Sequence, residues 1–205
     1  IYIVIKMIKR ICIICEGYEE FDYLTKLITL NVFSQNYIFT LRNAKGNGNV
    51  FSLYQYEYNS AYYDFVMVFI DTDQKPNKDY NIIKEKIKMF HGINNPLDLI
   101  CFSSPCIMQL ILLHFTNIKL VTQEKSINSI FLKKYVSFDG VYRAREEQRT
   151  AVCDAINRAN YSKMKRNLRN ISNDDNVIPS SNYLYHAKNL ESNDSNWIDI
   201  INDEL

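Results

Sequence analysis

Apolar positions along this chain follow two rhythms. Residues 9–16 (KRICIICE) form a short, unbroken, β-rich apolar run closed by a glycine. That is the pattern of a parallel-sheet strand covered on both faces. From Tyr18 the spacing shifts to Phe21, Leu24, Leu27 and Ile28, which predicts a helix over 18–32 packed on the same sheet. YIFTLRN (37–43) reads as a second strand, and NAKGNGN (43–49), with two of the five glycines, as a surface loop. The aromatics of FSLYQYEYNSAYY (51–63) suit either a strand or a helix, and the spacing of Phe51, Tyr54 and Tyr58 favours a helix.

The clearest strand is DFVMVFI (64–70), which runs into Asp71-Thr72-Asp73 and then a Pro-Asn turn at 76–77. Tyr80, Ile83, Ile87 and Phe90 mark a helix, LDLICFS (97–103) a further strand, and CIMQLILLHF (106–115) an apolar helix starting after Pro105. This alternation predicts an α/β fold with a parallel sheet. Beyond residue 120 the strand signal stops, and helices are expected at 124–135, 145–168 and 180–190. The expected organisation is an α/β core (1–120), a helical extension packed on it (121–191) and an acidic tail (192–205).

Composition narrows the picture modestly. A net charge of +1 in 205 residues, with 47% hydrophobic and 23% charged residues, gives no general attraction to nucleic acid or membrane, so any basic surface must be local. One local candidate exists: Arg143, Arg145, Arg149, Arg158, Lys163, Lys165, Arg166 and Arg169 are offset only by Glu146, Glu147 and Asp154. Such a segment suits either phosphate contacts or a solvated helix face. The opening IYIVIKMIKR lacks the long apolar region and small-residue cleavage site of a secretory leader, and no run approaches the roughly 18 apolar residues of a bilayer span. Cys12, Cys15, Cys101, Cys106 and Cys153 are odd in number and sit mostly in apolar contexts, which suits reduced thiols and a cytoplasmic location. Cys12 and Cys15 would point to opposite faces of their strand and are not a joint metal clip.

The strand ends carry the candidate chemistry. Functional groups of open parallel sheets gather at the carboxyl ends of the strands. Glu16 ends the first strand, and Asp71 and Asp73 end the strongest one. Acids brought together there repel one another unless a cation sits among them, and oxygen ligands select Mg²⁺ or Mn²⁺ over zinc. Such a centre can activate water on a phosphodiester, with Glu16 free to act as general base. Taken singly, a Glu-Gly after a strand is ordinarily a turn, and a DxD is common on exposed loops.

Together, however, Glu-Gly after a first strand and DxD after a later one resemble the motif pair of the Toprim fold. CEGYEEFDYL (15–24), VMVFIDTDQKP (66–76) and SSPCIMQLILLHF (103–115) are similar to three blocks of the RloB-like family, Toprim-related proteins of bacterial phage-defence loci. AVCDAINRA (151–159) and PSSNYLYHAKNL (179–190) resemble its closing segments, so the likeness spans nearly the whole chain. It implies a Toprim-like parallel sheet flanked by helices, with a C-terminal helical extension. It also implies a Mg²⁺-dependent nuclease acting on RNA, tRNA included, or on DNA, as effector of an antiviral, abortive-infection system.

By the same resemblance the catalytic residues would be Glu16, Asp71 and Asp73, and the metal ligands Glu16, Glu20, Asp71 and Asp73. An ATPase partner is implied, and a homodimer is left open. The chain departs from the family where Met108 stands in place of a glutamate and Leu110 in place of a tryptophan. Met108 can neither bind a hard cation nor accept a proton, so Glu20 or Asp98 would have to compensate. A degraded scaffold that binds a partner or nucleic acid without cutting is the alternative. His114 matches the family's "LLLHF", although a lone histidine on an apolar helix is more often a core residue. His91 and His186 have no partner that spacing reveals.

Overall fold

The computed structural model describes residues 8–33, 35, 37–73, 76–93 and 99–172. Four strands alternate with helices, β1 (Lys9–Cys15), α1 (Tyr18–Thr29), β2 (Tyr37–Asn43), α2 (Asn47–Asn59), β3 (Phe65–Asp71), α3 (Lys78–His91) and β4 (Ile100–Ser103). Four helices follow, α4 (Ile107–Leu113), α5 (Lys125–Leu132), α6 (Glu146–Ala155) and α7 (Arg158–Ser172). The sheet is all parallel in the order β2-β1-β3-β4. This is the predicted α/β class, consistent with a Toprim-like parallel sheet.

Both central strands are closed off from water. Ile11 to Cys15 of β1 and Phe65 to Ile70 of β3 are buried, as their unbroken apolar runs require. Right-handed crossovers account for the layers. β1-α1-β2 steps one way along the sheet, while β2-α2-β3 and β3-α3-β4 step the other way, so α1 lies on one face and α2 and α3 on the opposite face. The α2–α3 seam is aromatic: Tyr54 stacks on Tyr58, Phe90 packs edge-on against both, and the Tyr54 hydroxyl meets His91 Nε2 at 2.7 Å. Burial lowers the His91 pKa to about 4.

α4 joins α1 through His114, which is wholly buried. Its Nε2 lies 3.0 Å from the Tyr23 hydroxyl and its Nδ1 lies 3.1 Å from Asn160 Oδ1. Because the Asn160 oxygen can only accept, Nδ1 carries the proton and Nε2 accepts from Tyr23. The residue therefore ties α1, α4 and α7 together.

Several boundaries differ from expectation. The loop at 43–49 shortens, because α2 starts at Asn47 behind Gly46, whose φ of +121° only glycine adopts readily. The single helix expected over 145–168 is two helices. Ile156 takes an extended conformation (φ −83°, ψ 131°) and is buried, which turns the chain. Asn157 and Asn160 then cap α7 reciprocally: Asn160 Oδ1 accepts the Asn157 N–H at 2.9 Å, and Asn157 Oδ1 accepts the Asn160 N–H at 3.1 Å. Replacing Asn160 with Ala removes this cap and the His114 partner together, and should cost about 2 kcal/mol in urea unfolding. The expected helix at 180–190, the tail at 192–205, His186 and Asp98 lie outside the described residues.

The extension packs on the core over its described length, with α5 and α7 against α4 and α6 against α1. Gln148 organises its turn. This buried amide donates to the carbonyls of Asp139 and Val141, both at 3.0 Å, and accepts the N–H of Arg143 at 2.8 Å and of Arg145 at 3.3 Å. Part of the basic segment is consumed internally as well. Arg149 Nε bonds Asp22 at 2.6 Å, Arg158 Nε donates to the Leu30 carbonyl at 2.7 Å, and the Lys163 ammonium reaches the Phe115 carbonyl.

Candidate functional site: an acidic crevice at the switch point of the sheet

The strand order reverses direction at β1. Its crossover to β2 leaves on one side and β3 pairs on the other, so the carboxyl ends of β1 and β3 flank the topological switch point, where ligands of open α/β sheets bind. Glu16 and Asp71 stand at those two ends. Backbone hydrogen bonds hold the loops that leave them. Glu16 N–H donates to the Phe69 carbonyl at 3.0 Å, Gly46 N–H to the Glu16 carbonyl at 2.8 Å, Thr72 N–H to the Ser103 carbonyl at 2.9 Å and Asp73 N–H to the Pro105 carbonyl at 2.9 Å.

Glu16 Oε2 accepts the Asp71 N–H at 3.1 Å, so the first acid bridges directly to the second strand end. Asp71 Oδ1 accepts the Ser103 hydroxyl at 2.5 Å, which brings β4 into the same site. Glu20 is buried and its Oε2 accepts the Gly17 N–H at 2.9 Å, closing half of a capping box at the start of α1. Gly17 leaves room for that carboxylate, since a Cβ there would lie 3.3 Å from Glu20 Oε2.

Desolvation dominates the electrostatics. Burial raises Glu16 to a pKa of about 7, with Asp73 and Asp79 adding to the shift and the Asp71 N–H and Lys125 opposing it. Burial, with Glu19 and Glu16 behind it, raises Glu20 to about 8. Asp71 is pushed well above the usual carboxylate range by burial, then by Glu20 and Glu16, against the pull of the Ser103 bond. Asp73 is raised more weakly, by partial burial and Asp79. It occupies a left-handed conformation (φ +58°), which costs a non-glycine residue about 1 kcal/mol and turns the chain out of the crevice.

The fold thus gathers Glu16, Glu20 and Asp71 in one desolvated cluster and sets Asp73 on its rim, rather than pairing Asp71 and Asp73 side by side. Four further residues join them that the strand-end pattern did not single out. Ser103 supports Asp71, Asp79 adds negative charge at the start of α3, Glu19 lies in the first turn of α1, and Lys125 ion-pairs with Glu19 from the first residue of α5. Ser103 was accessible to the same logic as Glu16, because it ends an apolar strand. Lys125 was not, because 106 residues separate it from Glu19.

His114 is a structural residue, with its pKa lowered to about 4 by burial. Met108 is buried in the first turn of α4, as part of the apolar core. Cys12 and Cys15 are buried free thiols whose pKa values burial raises, that of Cys12 to about 12, so neither is a thiolate ligand at neutral pH.

The donor set is all oxygen, which suits a hard divalent cation. The Glu19 carboxylate at its edge is held by the Lys125 ammonium and by the Tyr142 phenol. The carboxylates nonetheless turn toward their own donors, namely the Asp71 N–H, the Ser103 hydroxyl, the Gly17 N–H and the Lys125 ammonium. Among the described residues no three His, Cys, Asp or Glu side chains are grouped to hold a metal ion. The donor chemistry suits such an ion, but the carboxylates as they are turned do not form a metal-holding group. No described helix is long and apolar enough to cross a membrane. No protein-family model, no curated protein and no solved structure matches this chain.

Proposed function

We propose that this chain is a Toprim-like, Mg²⁺- or Mn²⁺-dependent nuclease that cuts RNA or DNA phosphodiesters as a cytoplasmic effector of antiviral defence, under the control of an ATPase partner. The observation that carries the hydrolytic reading is the convergence of Glu16 and Glu20, from the β1–α1 turn, with Asp71, from the end of β3, on the switch-point crevice in a largely desolvated state. Carboxylates this costly to bury are a mark of function more than of packing. The defence role and the partner rest on the resemblance of the motif blocks alone.

Glu16, Asp71 and Asp73 would hold the cation, with Glu20 beside them, and the cation would supply charge stabilisation at a phosphoryl oxygen and a more acidic water. Glu16 is suited to proton transfer. Its pKa near neutrality matches a general base, and with Oε2 engaged by the Asp71 N–H, Oε1 is the atom to take a proton. Ser103 orients Asp71. Tyr142 lies beside Glu19, whose charge adds to burial in raising the phenol, and Arg143 and Arg145, which follow Tyr142 in the chain, are both exposed. They and Arg166 are exposed cations of the basic segment, the kind of side chain that grips a phosphate backbone.

Purified protein should cleave tRNA, single-stranded DNA or duplex DNA in Mg²⁺ or Mn²⁺ and stop in EDTA, and Asp71→Ala should lack that activity. Equal cleavage by both proteins would sink the reading. The rival, a non-cleaving scaffold, draws on the absence of a preformed metal group and on buried Met108. It expects nucleic-acid or partner binding that is unchanged in Asp71→Ala, with no metal-dependent product from either protein.

A further inference from the structure

β2 is an edge strand of the sheet and pairs only with β1. Because the Ala44 N–H, just past its end, donates to the Cys15 carbonyl, the main-chain groups of Ile38, Thr40 and Arg42 face β1. Those of Phe39, Leu41 and Asn43 therefore face outward, and no other described strand pairs with them. Such an edge is a template for a further strand, and sheets that stay single blunt theirs with proline, lysine, a bulge or short length. YIFTLRN, seven residues in unbroken register, carries none of these devices. Its one charge, Arg42, is turned onto Glu57 of α2, with Nε 2.7 Å from Oε1.

Side chains of the strand alternate between the two faces of the sheet. Ile38, Thr40 and Arg42 share the face on which α2 lies. Tyr37, Phe39 and Leu41 take the other, where the Phe39 ring packs on Phe33 with centroids 5.1 Å apart. Beside β2 on the α2 face is a hollow of about 470 Å³, lined by Thr40, Arg42, Tyr56, Tyr62 and Tyr63. Ile38 is 54% exposed, the most exposed apolar side chain of the strand. The edge thus offers both a knob and a hole.

We propose that β2 pairs with β2 of a second copy of this chain, antiparallel about a two-fold axis through Thr40. Outward-facing residues must meet outward-facing residues for both main-chain groups to bond, and a centre at Thr40 achieves this over the full strand. Phe39 then pairs with Leu41 of the second copy and Tyr37 with Asn43, each twice by symmetry, which makes about eight main-chain hydrogen bonds. Two apolar side chains stand opposite each other on the α1 face. On the α2 face Arg42 stands opposite Ile38, so no like charges meet. Each Ile38 enters the other copy's hollow beside Arg42, Tyr62 and Tyr63, the reciprocal seating that a two-fold interface requires. A strand from an unrelated protein would gain the main-chain bonds without that reciprocity. The two sheets join into one of double width, and because their strands run in opposite directions the two acidic crevices open at opposite ends.

Analytical ultracentrifugation of the full chain should show a dimer at micromolar concentration. Ile38→Lys changes a side chain exposed in the single copy, so it should keep the circular dichroism of the wild type. It should raise the dimer dissociation constant about a hundredfold or more, because the interface would bury an ammonium beside each Arg42. Cysteine cross-linking reads the register. Thr40 and its symmetry mate form a non-hydrogen-bonded pair with Cα atoms about 4.5 Å apart, within disulfide reach, whereas the two Ile38 positions lie on the order of 13 Å apart. Oxidation with copper phenanthroline should therefore link Thr40→Cys into covalent dimers on non-reducing gels and leave Ile38→Cys unlinked. If Ile38→Lys does not fold, the cross-linking pair decides. A monomeric wild type, a dimer that Ile38→Lys leaves intact, or equal cross-linking of Thr40→Cys and Ile38→Cys overturns the interface.

Discussion

Asp71→Asn is expected to abolish metal-dependent cleavage, by about a hundredfold or more, and at the same time to stabilise the metal-free protein. The two effects share one cause. The Asp71 carboxylate is desolvated and surrounded by Glu16, Glu19 and Glu20, so its ionised form is unfavourable in the folded state. Asparagine keeps an oxygen for the Ser103 hydroxyl and discards the charge. The expected rise in Tm is about 3 °C or more in EDTA, the shift that ~1 kcal/mol makes in a domain of this size.

The sign with pH follows from the raised folded-state pKa. A raised carboxyl contributes stability that is full below its unfolded pKa of about 4 and is lost as pH rises through the folded value. The gain from Asp71→Asn should therefore grow as pH rises from 4 toward 8 and vanish toward pH 4. Differential scanning calorimetry across that range checks it. A variant that loses both activity and stability would point instead to a structural role for Asp71. The expected pairing of lost function with gained stability is the signature of a site whose local energetics serve its chemistry.

The second large effect lies in the core. His114→Leu should lower stability by about 3 kcal/mol at pH 7, because it strands the buried Tyr23 hydroxyl and Asn160 Oδ1, which His114 links across three helices. It should also change the acid response. The folded-state pKa of His114, near 4, lies below the unfolded value of about 6.5. A depressed histidine contributes stability that is present above pH 6.5 and is lost as pH falls toward 4, up to about 3 kcal/mol in all. His91 acts in the same direction and by less, since it is half-buried and better solvated. Urea midpoints at pH 4.5 and pH 7 should therefore lie closer together in His114→Leu than in wild type. An unchanged interval would mean that the imidazole titrates normally in the fold.

Much of this was legible along the chain. Parallel strands buried on both faces need continuous apolar runs, and 9–16 and 64–70 can hardly be anything else. Because those runs are short, whatever follows them falls at a sheet edge, so Glu16 and Asp71 could be read as edge residues. The helices α1 and α3 repeat their apolar positions at helical spacing, and α4, buried on every side, is apolar almost throughout. The break at Ile156 escaped this reading, because Ile156 continues the helical periodicity and only its burial, with the two-asparagine cap behind it, shows that the chain turns.

The site divides in the same way. Local sequence determined which acids reach the carboxyl edge of the sheet, since that depends only on where an apolar run stops. Which of them share one environment was decided by tertiary structure. The order β2-β1-β3-β4 puts Glu16 beside Asp71, the left-handed turn at Asp73 carries that acid to the rim, and the start of α1 folds Glu20 inward. Long-range packing alone decided the charge balance. Nothing around Lys125 marks it as a partner of Glu19, because the field of a charge acts through space and the folded chain brings the two together across 106 residues.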